Sequence, residues 1–91
     1  MHFEYDPAKS VANAEKHGID FIEAQDIWQD EKNVSTAARI GPDGEVRRLV
    51  IGLIGEKLWS AVVTERGESV RIISVRRARG DEREYYNSGG V

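Results

Sequence analysis

The sequence predicts an α+β fold, with two N-terminal helices, an antiparallel β-meander and a short C-terminal helix. Three observations predict it. Helix start and stop signals fill the chain up to about residue 30, and none of the β-rich runs occur there. From Val34 onward, β-branched and aliphatic residues arrive in runs separated by turn residues. Gly80-Asp81 then restores a helix start near the end.

Residues 2 to 5 alternate enough for a short strand. Asp6-Pro7 is a helix start, an Asp N-cap followed by Pro at the first helical position. That helix should run to His17, where Lys16 and His17 suit the negative end of the helix dipole and Gly18 supplies the left-handed residue that ends it. Asp20 opens a second helix. Glu23, three residues on, completes a capping box, and Phe21, Ala24, Ile27 and Trp28 form the apolar stripe.

A strand is expected near Val34 to Ala38, a turn at Gly41-Pro42-Asp43-Gly44, and a second strand from Val46 to Ile54 with Leu49, Ile51 and Leu53 on one face. After a turn at Gly55-Glu56-Lys57, Leu58 to Arg66 and Ser69 to Arg77 should pair as a hairpin. Gly67 at the first central position fits a type II′ turn. If Arg66 pairs with Ser69, Glu65 and Arg76 share a face with Trp59, Ala61, Val63 and Ile72. Arg71 then falls on the opposite face with Thr64, Arg66, Val75 and Arg77, and a one-residue slip would reassign both sets. The helices are expected to gather on one face of the sheet and leave the other available. The last helix should reach about Tyr86, and 87–91 has the composition of a loose tail.

A chain of 91 residues is expected to form one domain. It has no cysteine, so neither disulfides nor a thiolate zinc site are expected, and the expected compartment is the cytoplasm. The opening MHFEYDPAKS lacks the basic start and apolar stretch of a secretory signal, and no apolar run is long enough to span a bilayer. The net charge of −3 is not the footprint of a strongly basic nucleic-acid-binding domain. That average conceals a division: residues 1–33 carry −5 and residues 34–91 carry +2. Between Arg66 and Arg79 lie five arginines, Arg66, Arg71, Arg76, Arg77 and Arg79, against the single acid Glu68. Arginine suits phosphate because its charge is permanent and its planar fork matches two oxygens. Charge alone reads equally well as a solvated strand edge.

Two separated blocks carry a resemblance. Phe3-Glu4-Tyr5-Asp6-Pro7-Ala8-Lys9, with Asn13, Lys16-His17-Gly18, Phe21 and Glu23-Ala24, is similar to the opening motif of the BrnT family, with Tyr5 where that family most often has Trp. The second block is Thr64-Glu65-Arg66-Gly67, Arg71-Ile72-Ile73-Ser74, Arg76-Arg77-Ala78, Glu82-Arg83 and Tyr86. The resemblance implies a RelE-like ribonuclease toxin of a type II toxin–antitoxin system, neutralised by a BrnA-type antitoxin that carries the DNA-binding segment. Operator DNA would then be met only through the complex. A non-catalytic module that binds the antitoxin and acts as corepressor is the alternative.

Metal-independent RNA cleavage by the 2′-hydroxyl needs a base, a proton for the leaving 5′-oxygen and cations facing the phosphoryl oxygens. Arg71 and Arg76 are the candidate stabilisers. Glu65, beside the arginine-rich turn, is the candidate base, and Lys16 and His17 are alternatives that a helix C-terminus also explains. Arg66, Arg77 and Arg79 are candidates for RNA backbone contacts, with Tyr86 closing one side of the site. Trp59 reads as core with a base-stacking alternative. No His, Asp or Glu set at metal-ligand spacing and no glycine-rich phosphate loop is present, so neither metal nor cofactor is expected.

Overall fold

A computed structural model describes residues 1–90 of the chain. The element order is β1 (His2–Glu4), α1 (Pro7–His17), a 3-10 helix (Glu23–Gln29), β2 (Val34–Ser35), β3 (Arg39–Ile40), β4 (Val46–Ile54), β5 (Lys57–Arg66), β6 (Ser69–Arg77) and α2 (Gly80–Asn87). The strands form one sheet in the order β1-β6-β5-β4-β2, with β3 also on β4. Among the described residues no helix is long and apolar enough to cross a membrane.

The first helix follows its signals. The Asp6 carboxylate accepts from the Ala8 N–H at 2.9 Å, and Gly18 ends the helix at φ 79°. The second helix is a correction: the capping box forms, with Asp20 Oδ1 accepting from Glu23 N at 2.7 Å and Glu23 Oε1 from Asp20 N at 3.3 Å, but the seven residues that follow wind as a 3-10 helix. Its buried residues, Ala24 and Ile27, together with Phe21 just before it, explain why. Phe21, Ala24 and Ile27 recur every third residue, and a three-residue turn stacks them on one line facing the sheet.

The sheet is mixed rather than a pure antiparallel meander, because β1 enters beside β6 in parallel, His2 to Glu4 against Ser69 to Arg71. A parallel neighbour needs a long crossover, and the whole chain between the two strands supplies it. The expected strand from Val34 to Ala38 is reduced to Val34–Ser35, β2, and a further, unexpected short strand, β3, follows at Arg39–Ile40; both pair with β4. Between them the Thr36 hydroxyl, in place of a backbone carbonyl, accepts the Leu49 N–H at 3.0 Å.

The hairpin closes with Arg66 opposite Ser69 and Gly67 at φ 61°, the sense a type II′ turn requires. Farther along, Val63 pairs with Ile72 but Val62 pairs with Ser74, leaving Ile73 as the extra residue of a β-bulge. The expected faces therefore hold only as far as Ile72. Beyond the bulge, Ser74 and Arg76 turn to the face of Thr64 and Arg71, while Val75 and Arg77 turn to the face of Ala61 and Glu65.

The helices do not gather on one face. Phe21, Ala24 and Ile27 of the N-terminal half pack with Val50, Ala61, Val63, Ile72 and Val75 on one side. Tyr85 and Tyr86 of α2 pack with Val34, Leu49, Ile51, Leu58 and Ala78 on the other. Strand β4 accordingly buries both Val50 and Ile51. Burying a Phe, Ile or Val side chain contributes roughly 1.5–3 kcal/mol, so the larger cluster dominates cohesion. In the expected tail, Gly89 and Gly90 donate to the carbonyls of Tyr86 and Tyr85 at 3.0 and 2.9 Å, and Val91 lies outside the described residues.

The 3-10 helix rests directly on β4 at Gly52, where a Cβ would stand 3.0 Å from both Cγ2 and the carbonyl oxygen of Ile27 and 3.3 Å from Asn33 Cβ. Gly52→Ala should therefore lower stability by about 1–3 kcal/mol through overpacking. An unchanged urea midpoint would show that the helix can lift off at no cost.

Candidate functional site

On the α2 side of the sheet, where α2 leaves the strands partly uncovered, a cleft of about 490 Å³ opens between α2 and the β2–β3 edge. Leu49 and Val62 lie on its apolar floor and Arg39, Arg47, Arg76, Arg79, Asp81 and Tyr85 on its walls. Strand pairing places Arg39 directly opposite Arg47. Like charges in that position repel. Asp43 partly offsets the repulsion by accepting from Arg47 Nη2 at 2.7 Å, whereas Arg39 and Arg79 have no carboxylate partner among the described residues.

The α2 wall is fixed by a buried polar cluster. Arg76 Nη1 and Nη2 donate to Glu82 Oε1 and Oε2 at 2.7 and 2.8 Å, and the Ser60 hydroxyl and the Arg79 N–H each donate to Oε1 at 2.9 Å. The Arg76 hydrogen bonds hold the Glu82 carboxyl down at about 2 against the opposing effect of burial, with the Arg79 N–H and Ser60 adding to them. The same bonds push Arg76 above its ordinary value. Glu82 is thus a fixed anion, unsuited to exchanging protons near neutrality.

The sequence-predicted residues separate. Arg76 and Arg79 line the cleft. Arg71 shares the face of Arg76 but lies toward β1, 3.9 Å from Glu4, and is not part of the lining. Glu65, on the opposite face, is ion-paired with Arg48, and Arg66 with Glu45 at 2.8 Å; both line a separate depression at the far end of the sheet. Lys16 and His17 sit in the last turn of α1, which packs on β6, and neither lines the cleft. Arg77 lies 5.5 Å over the ring of Trp59, which is only 8% exposed, so Trp59 is core.

Tyr86 donates to Asp30 Oδ2 at 2.6 Å, and burial together with that bond raises the phenol to about 12. Burial would raise Asp30, but the Leu53 N–H, the Tyr86 hydroxyl and the Lys32 N–H outweigh it and leave its carboxyl below the ordinary range. Tyr85 instead reaches the cleft rim, donating to the Ser35 carbonyl at 2.9 Å. Sequence reasoning missed Arg39, Arg47 and Asp81. Strand parity held the signal for two of them: Arg47 is in phase with Leu49 and Ile51, and a hairpin about Gly41 to Gly44 sets Arg39 against it.

No curated protein matches the chain. The model of a family described as "Ribonuclease toxin, BrnT, of type II toxin-antitoxin system" matches residues 5–82, which span α1, the whole sheet except β1, and the Arg76–Glu82 pair. An arginine-walled cleft in a chain matched over that length is in keeping with the description, and the protein belongs to the BrnT family of type II ribonuclease toxins.

Proposed function

We propose that the chain cleaves RNA in the arginine-walled cleft by attack of the 2′-hydroxyl on the adjacent phosphorus, without a metal ion. The observation that carries this reading is the convergence of Arg39, Arg47, Arg76 and Arg79 on one cleft, including a cross-strand arginine pair whose repulsion Asp43 offsets only in part and a bound anion would relieve further. Charge developing on the phosphoryl oxygens meets four cations, of which Arg76 and Arg47 are held by Glu82 and Asp43, and the apolar floor of Leu49 and Val62 gives a base a surface to lie on. Asp81, the exposed carboxylate of the cleft, takes the role of base that the sequence suggested for Glu65, which is occupied by Arg48 on the other face. The leaving 5′-oxygen takes a proton from solvent in the open cleft.

On this reading the compartment is the cytoplasm and the fold is that of the RelE-type ribonucleases. The antitoxin is of the BrnA type, and operator DNA is engaged only through the complex, as suits a chain of net charge −3.

Purified chain and a defined oligoribonucleotide test the reading. Arg39→Ala and Arg79→Ala should each cut the cleavage rate about 10- to 100-fold, and each should lower the salt dependence of RNA affinity by about one phosphate contact. Asp81→Asn should abolish most activity while Glu65→Gln retains it. Cleavage at the parent rate by Arg79→Ala would move the site elsewhere, and the reverse result for the two carboxylates would return the base to Glu65.

A further inference from the structure

Glu82 has a side chain only 8% exposed, yet it belongs to the wall of an open cleft. What it does to Arg76 follows from counting donors. A guanidinium carries five N–H groups in one plane. The end-on pair of Arg76 is spent on the two oxygens of Glu82, and the second N–H of Nη1 leans on the Arg77 carbonyl at 3.3 Å. Two donors remain, on Nε and on Nη2. They lie side by side along one edge of the guanidinium, spaced for two oxygens of a single phosphate.

Glu82 is itself held further, by Ser60 Oγ from β5 and by the Arg79 N–H at the N-cap of its own helix. We propose that Glu82 is a positioning residue for RNA cleavage: its clamp on Arg76 leaves the Nε–Nη2 edge as the bidentate seat of the scissile phosphate. Ser60 supports the same geometry at one remove. The inference rests on the cleft being the cleavage site.

Single-turnover cleavage of a defined oligoribonucleotide and binding of its 2′-O-methyl analogue, which lacks the attacking hydroxyl, separate rate from affinity. Glu82→Gln should slow cleavage about 10- to 100-fold and change affinity for the analogue less than about threefold. Arg76→Lys, which keeps the charge but has no fork, should fall as far as Arg76→Ala. The double variant of Arg76→Ala with Glu82→Gln should be no slower than Arg76→Ala alone, because Glu82 acts only through Arg76. Ser60→Ala, a milder change, should give a smaller loss in the same direction, and melting curves taken alongside identify any variant that has unfolded.

A double-variant loss equal to the product of the two single losses overturns the proposal, as does Arg76→Lys or Glu82→Gln cleaving at the parent rate. If Arg79→Ala is inactive while Arg76→Ala is not, the cleft reading stands and this inference alone fails. A parent chain that cuts no RNA removes both.

Discussion

Replacing Asn13 by alanine is expected to cost about 3–5 kcal/mol of stability, enough to unfold a substantial share of a domain this small. The side chain is buried and fully used: Nδ2 donates to the carbonyls of Ile19 and Val75 at 2.8 and 2.9 Å, and Oδ1 accepts from Val75 N at 3.1 Å. Strand β1 stops at Glu4, opposite Arg71, so farther along β6 the outward backbone groups of Val75 have no strand beside them. Asn13 supplies, from the helix above, the donor and acceptor that a neighbouring strand would have offered. Alanine leaves two carbonyls and one N–H unpaired in the core, each costing about 1–3 kcal/mol less any relaxation. Asn13→Asp should be no better, since it keeps the acceptor but turns a negative charge toward two carbonyl oxygens. Urea unfolding measures both. A loss below about 1 kcal/mol for Asn13→Ala would mean that water replaces the amide.

The second large effect concerns acid. Because Glu82 is held at about 2 in the folded chain, against an ordinary 4.5, the unfolded chain binds the extra proton between those values. Stability from this group is therefore fully present above pH 4.5 and is lost as the pH falls toward 2. The amount is about 3 kcal/mol, taken from the size of the shift. Glu82→Gln should be less stable at pH 7 and should show a shallower decline across that window. Salt should matter little, since side-chain exposure is 22% for Arg76 and 8% for Glu82. Unfolding curves collected from pH 7 to pH 2.5 check this; two stability profiles running parallel would show that the ion pair contributes nothing net, as buried pairs sometimes do.

Local signals were legible wherever a residue's role is decided by its neighbours in the chain. Asp6, Pro7 and Gly18 fixed α1, and Gly67 with Arg66 and Ser69 fixed the hairpin turn. The capping box at Asp20 and Glu23 was legible too, but the winding of the residues after it was set by the three-residue spacing of side chains on the sheet. Three features depend on distant partners and leave little trace in a pattern of apolar and polar residues: the parallel entry of β1, the bulge at Ile73 and the seating of α2 on the second face. The site suffered accordingly. Arg76 and Arg79 were within reach, but the bulge brought Arg76 to the side opposite Glu65, and the β3–β4 pairing added Arg39 and Arg47 from a segment that showed no sign of function.

The bulge also decides where along β6 the length of the chain is constrained. Arg71 and Arg76 are five positions apart, an odd interval that a regular strand would send to opposite sides, and Ile73 is the added count that makes their parity agree. The residues after it inherit the correction: Val75 reaches the core, Asn13 finds its partner, and Arg76 meets Glu82. Losing a single residue at Ile73 or Ser74 would straighten the strand and leave Val75 and Arg76 on the faces they now hold, because the interval from Arg71 would become even. After the bulge the pairing is regular, so loss of a residue between Val75 and Arg77 would send the side chains that follow it to the other face, and the fixed length is the one from Val75 to α2, in a chain whose turns could lengthen freely.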